Sequence, residues 1–353
     1  MTNKDLPREE ATEMNHLLNK QSLPELLQAW RADYDVYLPQ RLEGFSHFML
    51  LGDQKIGLPD RPHNTRVPPK ALFLPMTEAL VKYTRFGAYK DAELKVNPRI
   101  VFAVRPCDAQ AVQLLDSVFE QERYSDPYWV ERVDQTITIG LGCASGCANG
   151  FCTTVGYGPF SKDGLDALLT DLGDRYLVGT LTKAGEALFE KLDLADQATA
   201  AEAFEIQHQA HESMPIAFET ENLKEKLQQN FSSTYWEQIS ESCLGCGVCT
   251  FLCPTCFCFD LVDETQRRER VRNWDSCMFR IYSQEASGHN PRPTRVERTR
   301  QRLSHKYVYW LDQIGQIGCT GCGRCVSYCP VGLDIRAMLR QAQSLPFEVN
   351  HAS

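Results

Sequence analysis

Eight of the fifteen cysteines fall into two stretches with one grammar, Cys243-Leu-Gly-Cys246-Gly-Val-Cys249-Thr-Phe-Leu-Cys253-Pro254 and Cys319-Thr-Gly-Cys322-Gly-Arg-Cys325-Val-Ser-Tyr-Cys329-Pro330. Each reads C-x2-C-x2-C-x3-C-P, a spacing that wraps a [4Fe–4S] cluster. Three thiolates at two-residue gaps let a single tight loop cover three corners of a cube. Gly245, Gly247, Gly321 and Gly323 allow backbone N–H groups to approach the sulfurs. The fourth cysteine starts a new segment, and the proline after it has no N–H to compete there.

Where two such loops occur in bacterial ferredoxins, the fourth cysteine of each ligates the other cluster. That rule places Cys243, Cys246, Cys249 and Cys329 on one cube, and Cys319, Cys322, Cys325 and Cys253 on the other. Structural zinc is the competing reading. It prefers two separated C-x2-C pairs, often with histidine, whereas here three thiolates at x2 spacing are closed by Cys-Pro, twice.

Four further cysteines form a second constellation. Cys107 directly follows the apolar run Arg99–Val104, in Arg105-Pro106-Cys107-Asp108, and Cys143, Cys147 and Cys152 follow the run Thr136–Leu141. Ligands of open α/β sheets bind at the carboxyl ends of strands. If these runs are parallel neighbours, the four thiols share one crevice and suit a third [4Fe–4S] cluster. Arg105 and the N-terminus of a helix at Asp108 would offset its negative charge. Zinc and buried structural thiols are the alternatives. The pattern Gly140-x-Gly142-x-x-x-Gly146 departs from a phosphate loop, and cysteines fill its turn. Cys256, Cys258 and Cys277 remain. They could begin another metal site or a redox group, but the simpler reading is packing beside Cys253 as small buried hydrophobes. His289 and His305 read as structural.

The elements that must hold these residues are an α/β half and a cluster-binding half. Residues 1–40 read as an amphipathic helical region through Leu17, Leu18, Leu23, Leu26, Leu27 and Trp30. Phe48–Leu51 reads as a strand, Lys70–Leu74 as an apolar run, and Glu78, Leu80 and Val81 as a helix. Arg99–Val104, Thr136–Leu141 and Tyr176–Gly179 read as strands, with a helix over Asp108–Leu115. Residues 183–242 are helix-compatible. The fold class is α+β: an N-terminal α/β domain (1–225) with a partly parallel sheet, then a mainly helical dicluster ferredoxin-like domain (226–353) with a basic insertion over 263–306. Ten arginines lie between Gln266 and Arg302. As a solvated face they need no role. They could otherwise dock an acidic partner, raise cluster potentials or bind a phosphate-bearing cofactor.

The net charge of −9 argues against nucleic acid and anionic membranes as partners. No run of about eighteen apolar residues suggests a membrane span. Met1 is followed by polar residues without a signal-peptide pattern, and the cysteines follow metal-ligand spacings, so a reducing cytoplasm is expected. So many oxygen-sensitive sites suggest anaerobic life.

In this order, Ala71–Glu78, Arg105-Pro106-Cys107-Asp108, Asp126-Pro127-Tyr128, the Cys143–Cys152 loop, Cys253-Pro254-Thr255-Cys256-Phe257-Cys258, Trp274-Asp275-Ser276-Cys277, Gly288-His289-Asn290-Pro291-Arg292 and the Cys319–Pro330 run resemble a known family. It comprises the iron–sulfur β subunits of soluble NAD(P)-linked sulfhydrogenases, the similar iron–sulfur subunits of anaerobic sulfite reductases, and related proteins. Where relatives often carry Cys-Phe-Cys, this chain has Gly150-Phe151-Cys152, and Cys147 is the candidate for the shifted thiolate. The resemblance implies an electron-transfer component of a multi-subunit oxidoreductase. It would relay electrons between a flavin/NAD(P)-binding reductase subunit, on one side, and a catalytic subunit of hydrogenase, sulfite-reductase or heterodisulfide-reductase type, on the other. The residues agree, since no nucleotide fingerprint or nucleophile–base arrangement is present and no catalytic residue is named. The alternatives are a self-contained enzyme working at the Cys107/Cys143/Cys147/Cys152 crevice, and a redox-sensing regulator.

Overall fold

The computed structural model describes residues 10–52, 64–84 and 88–347. In chain order, the first half contains β1 (Glu10–Asn19), α1 (Leu23–Trp30), β2 (Asp35–Leu42), β3 (Phe45–Leu50), α2 (Lys70–Phe73), β4 (Thr77–Tyr83), β5 (Tyr89–Asp91), β6 (Arg99–Val104), α3 (Pro106–Phe119), α4 (Pro127–Asp134), β7 (Thr136–Leu141), β8 (Ala167–Asp171), β9 (Arg175–Thr182), α5 (Lys183–Phe189) and α6 (Gln197–Glu212). Then come α7 (Leu223–Gln229), α8 (Tyr235–Ser240), α9 (Val248–Phe251), β10 (Phe259–Glu264), β11 (Glu269–Trp274), α10 (Arg295–Ser304), a π-helical turn at His305–Tyr309, α11 (Trp310–Ile314), α12 (Arg324–Ser327) and α13 (Ile335–Gln343). The chain divides into two compact units, one of Met1–Phe73 with Leu94–Pro215, the other of Leu74–Glu93 with Ile216–Ser353.

The first unit is built on a seven-stranded sheet, ordered β1-β9-β8-β7-β6-β2-β3. β2, β6, β7 and β8 run parallel, while β3, β9 and β1 add antiparallel flanks. Every residue of β6 and β7 is buried, as expected of central strands covered on both faces. β6 leads into α3 at once, through Arg105 and a first-turn Pro106 that suits the helix start. Ala103 has φ of +60° at a register shift between β6 and β7. This bulge bends the strand end that carries Arg105 and Cys107. On one face of the sheet, Leu27, Trp30, Phe102, Ile139, Val178 and Phe189 form the main core.

The second unit joins a four-stranded antiparallel sheet, β10-β11-β4-β5, to a group of helices. Arg272 on β11 meets Glu78 on β4 at 2.6 Å, and both side chains are buried. Trp274 Nε1 donates to Leu74 O at 3.0 Å. Among the helices, the Tyr235 hydroxyl donates to Met338 O at 2.8 Å, and a capping box between Thr294 and Glu297 starts α10.

Two sequence expectations are corrected. Residues 1–40 are not one helical region, since only Leu23–Trp30 is helical among the described residues and the flanks are β1 and β2. Backbone pairing with β9 and β6 outweighs the mixed three- and four-residue leucine spacing. The stretch through Glu78, Leu80 and Val81 is β4, not a helix, and the run before it contains the short α2. The cluster-binding half also contains strands: the start of the basic insertion forms the β10–β11 hairpin, whose outer neighbour β4 comes from far earlier in the chain. Some insertion arginines also differ from a solvated face, because Arg272, Arg298 and Arg302 are buried.

Removing one member of a buried ion pair strands the other charge, at a cost of about 3–5 kcal/mol. Glu78→Ala is therefore expected to lower the unfolding free energy by about that amount in anaerobic urea titrations. The double change Glu78→Ala with Arg272→Met should restore most of it.

Candidate iron–sulfur sites

The two C-x2-C-x2-C loops fold alike. Gly245 and Gly247 have φ of +68° and +74°, and Gly321 and Gly323 have φ of +64° and +75°, the left-handed region where glycine carries no steric penalty. Gly247 and Gly323 each precede a one-turn helix, α9 and α12, and these helices pack together. The Gly245 N–H donates to Cys243 Sγ at 3.4 Å, and the Gly321 N–H to Cys319 Sγ at 3.5 Å. The Leu333 N–H donates to Cys329 Sγ at 3.2 Å. Turn glycines thus aim backbone dipoles at sulfur, which is how a protein stabilises thiolates around a cluster.

A cavity in the second unit is lined by Cys243, Cys246, Cys249 and Cys329, with Cys325 at its wall. The fourth cysteine of the second run therefore faces the first three of the other run. The charges of Cys253 and Cys319 are both felt at Cys325 and at Lys306. Burial pushes the Cys325 thiol up to about 11.

Two buried cations stand among these sulfurs. Arg302 and Lys306 are four residues apart across the end of α10 and so share a helical face; they are 6% and 3% exposed. Arg302 donates to Cys249 O at 3.2 Å, while its Nε is buried without a hydrogen-bond partner. Lys306 Nζ donates to Thr255 Oγ1 and Gly318 O, both at 2.8 Å. Burial alone would depress both basic groups, yet the charges of Cys253 and Cys256 with Cys319 lift Lys306, and those of Cys249, Cys325, Cys256 and Cys253 lift Arg302, above their ordinary values. Two buried cations lying beside cysteines of both runs fit an anionic cluster with four cysteine ligands. In sequence, Arg302 stands out only as part of the basic insertion and Lys306 does not stand out at all; the four-residue spacing between the two is the available signal.

The remaining thiols of this unit lie close by. Cys256 is hydrogen-bonded to Cys253, and Cys258 to Cys277 and the Tyr282 hydroxyl. Cys277 packs with Cys243 and Met278. His305 lies between Phe257 and Trp310, where burial and then Lys306 lower it to about 4. His289 belongs to a turn that Asn290 closes, accepting from Ser283 Oγ at 2.8 Å and donating to Arg280 O at 2.7 Å.

In the first unit, β6 and β7 are parallel neighbours, and Cys107, Cys143, Cys147 and Cys152 lie on the segments that follow their carboxyl ends. Cys143 and Cys147 are hydrogen-bonded to each other, the charge of Cys107 is felt at Cys147, and that of Cys143 at Cys152. Arg105 donates to Leu141 O at 3.0 Å, Gly142 O at 2.8 Å and Cys143 Sγ at 3.8 Å. The hydrogen bond from Cys147, with help from Arg105, lowers the Cys143 thiol to about 6, whereas burial raises Cys152 to about 11. A side chain at Gly142 would collide with the Phe160 ring, since an added Cβ lies 2.0 Å from it. This glycine lets the loop turn directly off β7.

Residues 242–333 match the family of 4Fe-4S dicluster domains. Over 280 residues the chain is 32% identical to the β subunit of sulfhydrogenase 2 from Pyrococcus furiosus, covering 76% of this chain and 81% of that protein. The chain belongs to the sulfhydrogenase β-subunit family. As a member of it, the chain carries [4Fe–4S] clusters and has an iron–sulfur electron-transfer role. No solved structure matches it. Among the described residues, no helix of this β-subunit relative is long and apolar enough to cross a membrane.

A buried cation favours the more negative, reduced state of a neighbouring cluster. Lys306→Met is expected to lower the midpoint potential of the nearest cluster by about 60 mV, the one-electron equivalent of about 1.4 kcal/mol. Potentiometric titration followed by electron paramagnetic resonance measures the change, and the iron content should be retained.

Proposed function

We propose that this chain is the electron relay of a cytoplasmic, oxygen-sensitive oxidoreductase complex. It passes single electrons between a flavin/NAD(P)-binding reductase subunit, on one side, and a catalytic subunit of hydrogenase, sulfite-reductase or heterodisulfide-reductase type, on the other. The observation that carries the reading is the pair of buried cations, Arg302 and Lys306, close to Cys249, Cys253, Cys319 and Cys325 of the two runs and to Cys256.

In this reading Cys243, Cys246, Cys249 and Cys329 hold one [4Fe–4S] cluster, and Cys319, Cys322, Cys325 and Cys253 hold a second. Cys107, Cys143, Cys147 and Cys152 hold a third. Such clusters take up and release one electron at a time, at potentials within roughly −700 to +450 mV. The protein's part is electrostatic and geometric. Gly245, Gly321 and Leu333 present N–H dipoles to the cysteine sulfurs. Arg302 and Lys306 offset added negative charge in the second unit, and Arg105 does so beside Cys143. Burial of Cys243, Cys253 and Cys319 excludes water that would favour cluster oxidation. The name of the Pyrococcus furiosus relative describes a subunit, which supports a place in a larger assembly.

Three clusters require about twelve irons per chain and the ferredoxin-like pair alone about eight. Anaerobically purified protein is expected to contain about twelve, with matching acid-labile sulfide, and Cys107→Ser should contain about eight. A content near eight that Cys107→Ser leaves unchanged would remove the third cluster, and zinc in place of iron would remove the relay altogether.

The complex predicts that the tagged chain, isolated from its native cells without oxygen, brings a flavoprotein with it. Repeated recovery of the bare chain would overturn the assignment of partners.

A further inference from the structure

The two cysteine loops share a sequence grammar but not an environment. Leu244 follows the first cysteine of its run and is 61% exposed; Thr320, at the matching position of the other run, is 1% exposed. Cys246 is the exposed thiol among the fifteen. The second loop is covered instead. Trp310 lies so close over Gly318 that an added Cβ would sit 2.6 Å from its ring, and the buried Tyr307 is near enough to Cys319 to feel its charge.

The Met278–Phe279 segment packs against Gly245 and Gly247 of the open loop and leads into exposed apolar and basic residues. Ile281 is 77% exposed, on the short turn Arg280–Ser283. Arg295 donates to Cys243 O at 2.7 Å while remaining exposed. Arg298 approaches Gly245, and Arg280 and Arg295 are near enough to act on it electrostatically. The acidic group in this set, Glu297, is engaged with Thr294 in the cap of α10. The chain as a whole is acidic, so this positive surface is a local departure. Guanidinium groups match carboxylates in planar geometry, and exposed aliphatic side chains inside a charged rim are the usual makeup of a transient docking surface.

We propose that the Cys243–Cys249 loop is the port through which this chain exchanges electrons with an acidic redox protein. Arg280 and Arg295 steer that protein, and Leu244 and Ile281 seat it over the exposed cysteine. This rests on the relay reading above and adds which loop meets the outside partner and what charge that partner carries. One electron crosses per encounter, from the donor's reduced centre to the oxidised cluster, and no bond is made or broken.

The test uses the anaerobic full-length protein and two reductants in stopped-flow experiments, a small acidic plant-type [2Fe–2S] ferredoxin and the methyl viologen radical cation. With the ferredoxin, the second-order rate should fall steeply as salt rises. The double change Arg280→Glu with Ile281→Asp should reduce the ratio of ferredoxin rate to viologen rate at least tenfold at low salt. Lys191→Glu, in the first unit, should leave that ratio where it was. Iron content and electron paramagnetic resonance of the same samples separate the two layers of the argument. If clusters fail to assemble in the unaltered protein, the relay reading falls. If clusters are intact and the ratio does not move, or if a fluorescent single-stranded oligonucleotide binds this surface more tightly than the ferredoxin does, the port assignment is overturned.

Discussion

Positive charge buried among sulfurs is the interaction on which the second unit depends. Arg302 and Lys306 are almost wholly withdrawn from water, and an isolated ammonium or guanidinium in that position would be very costly. Neutral thiols cannot compensate them. Thiolates can, and thiolates are what an iron–sulfur cluster requires of its cysteines. The cations and the cysteine loops therefore make sense only together. The π-helical turn after α10 places Lys306 where Thr255 and Gly318, one near each cysteine run, both accept from its amine. Helix end, loop and cluster site are thus tied by the same few hydrogen bonds.

The first unit reaches a related arrangement by a different route. There the parallel sheet does the positioning, because β6 and β7 end side by side and release Cys107 and the Cys143–Cys152 loop into one space. Arg105 plays the part that Arg302 plays elsewhere, but it is held by the carbonyls that end β7. The bulge at Ala103 and the absence of a side chain at Gly142 are local backbone features that allow the strand ends to turn so sharply. In both units, irregular backbone occurs next to sulfur. Regular strands and helices use their N–H groups internally, whereas turns leave them free to meet thiolates.

Pairing with distant strands explains where sequence reasoning failed. Thr77–Tyr83 carries residues that suit a helix or a strand, and nothing local reveals that β11, nearly two hundred residues later, will lie beside it with Arg272 opposite Glu78. The leucines between Leu17 and Trp30 contain one helix of two turns, and the stretch before it is drawn into pairing with β9. The central strands β6 and β7 were legible because each is a short β-rich run buried throughout. α3 was legible because Pro106 and Asp108 mark its first turn. β8 was missed: its five residues carry no alternation, and their place between β7 and β9 is set by the sheet.

The amino-acid sequence by itself determined the chemistry. Cysteine spacing is dictated by the dimensions of an inorganic cube and by how tightly a backbone can turn, so the two ferredoxin-like runs declare their cofactor without any fold, and the motif order declares the family. Only the tertiary structure decided which charges answer those sulfurs, and that one loop lies open while its sequence twin is closed. Both outcomes come from residues remote in the chain, such as Trp310 over Gly318 and Arg295 beside Cys243. Burial and charge compensation are properties of what folds against a loop, not of the loop's own residues.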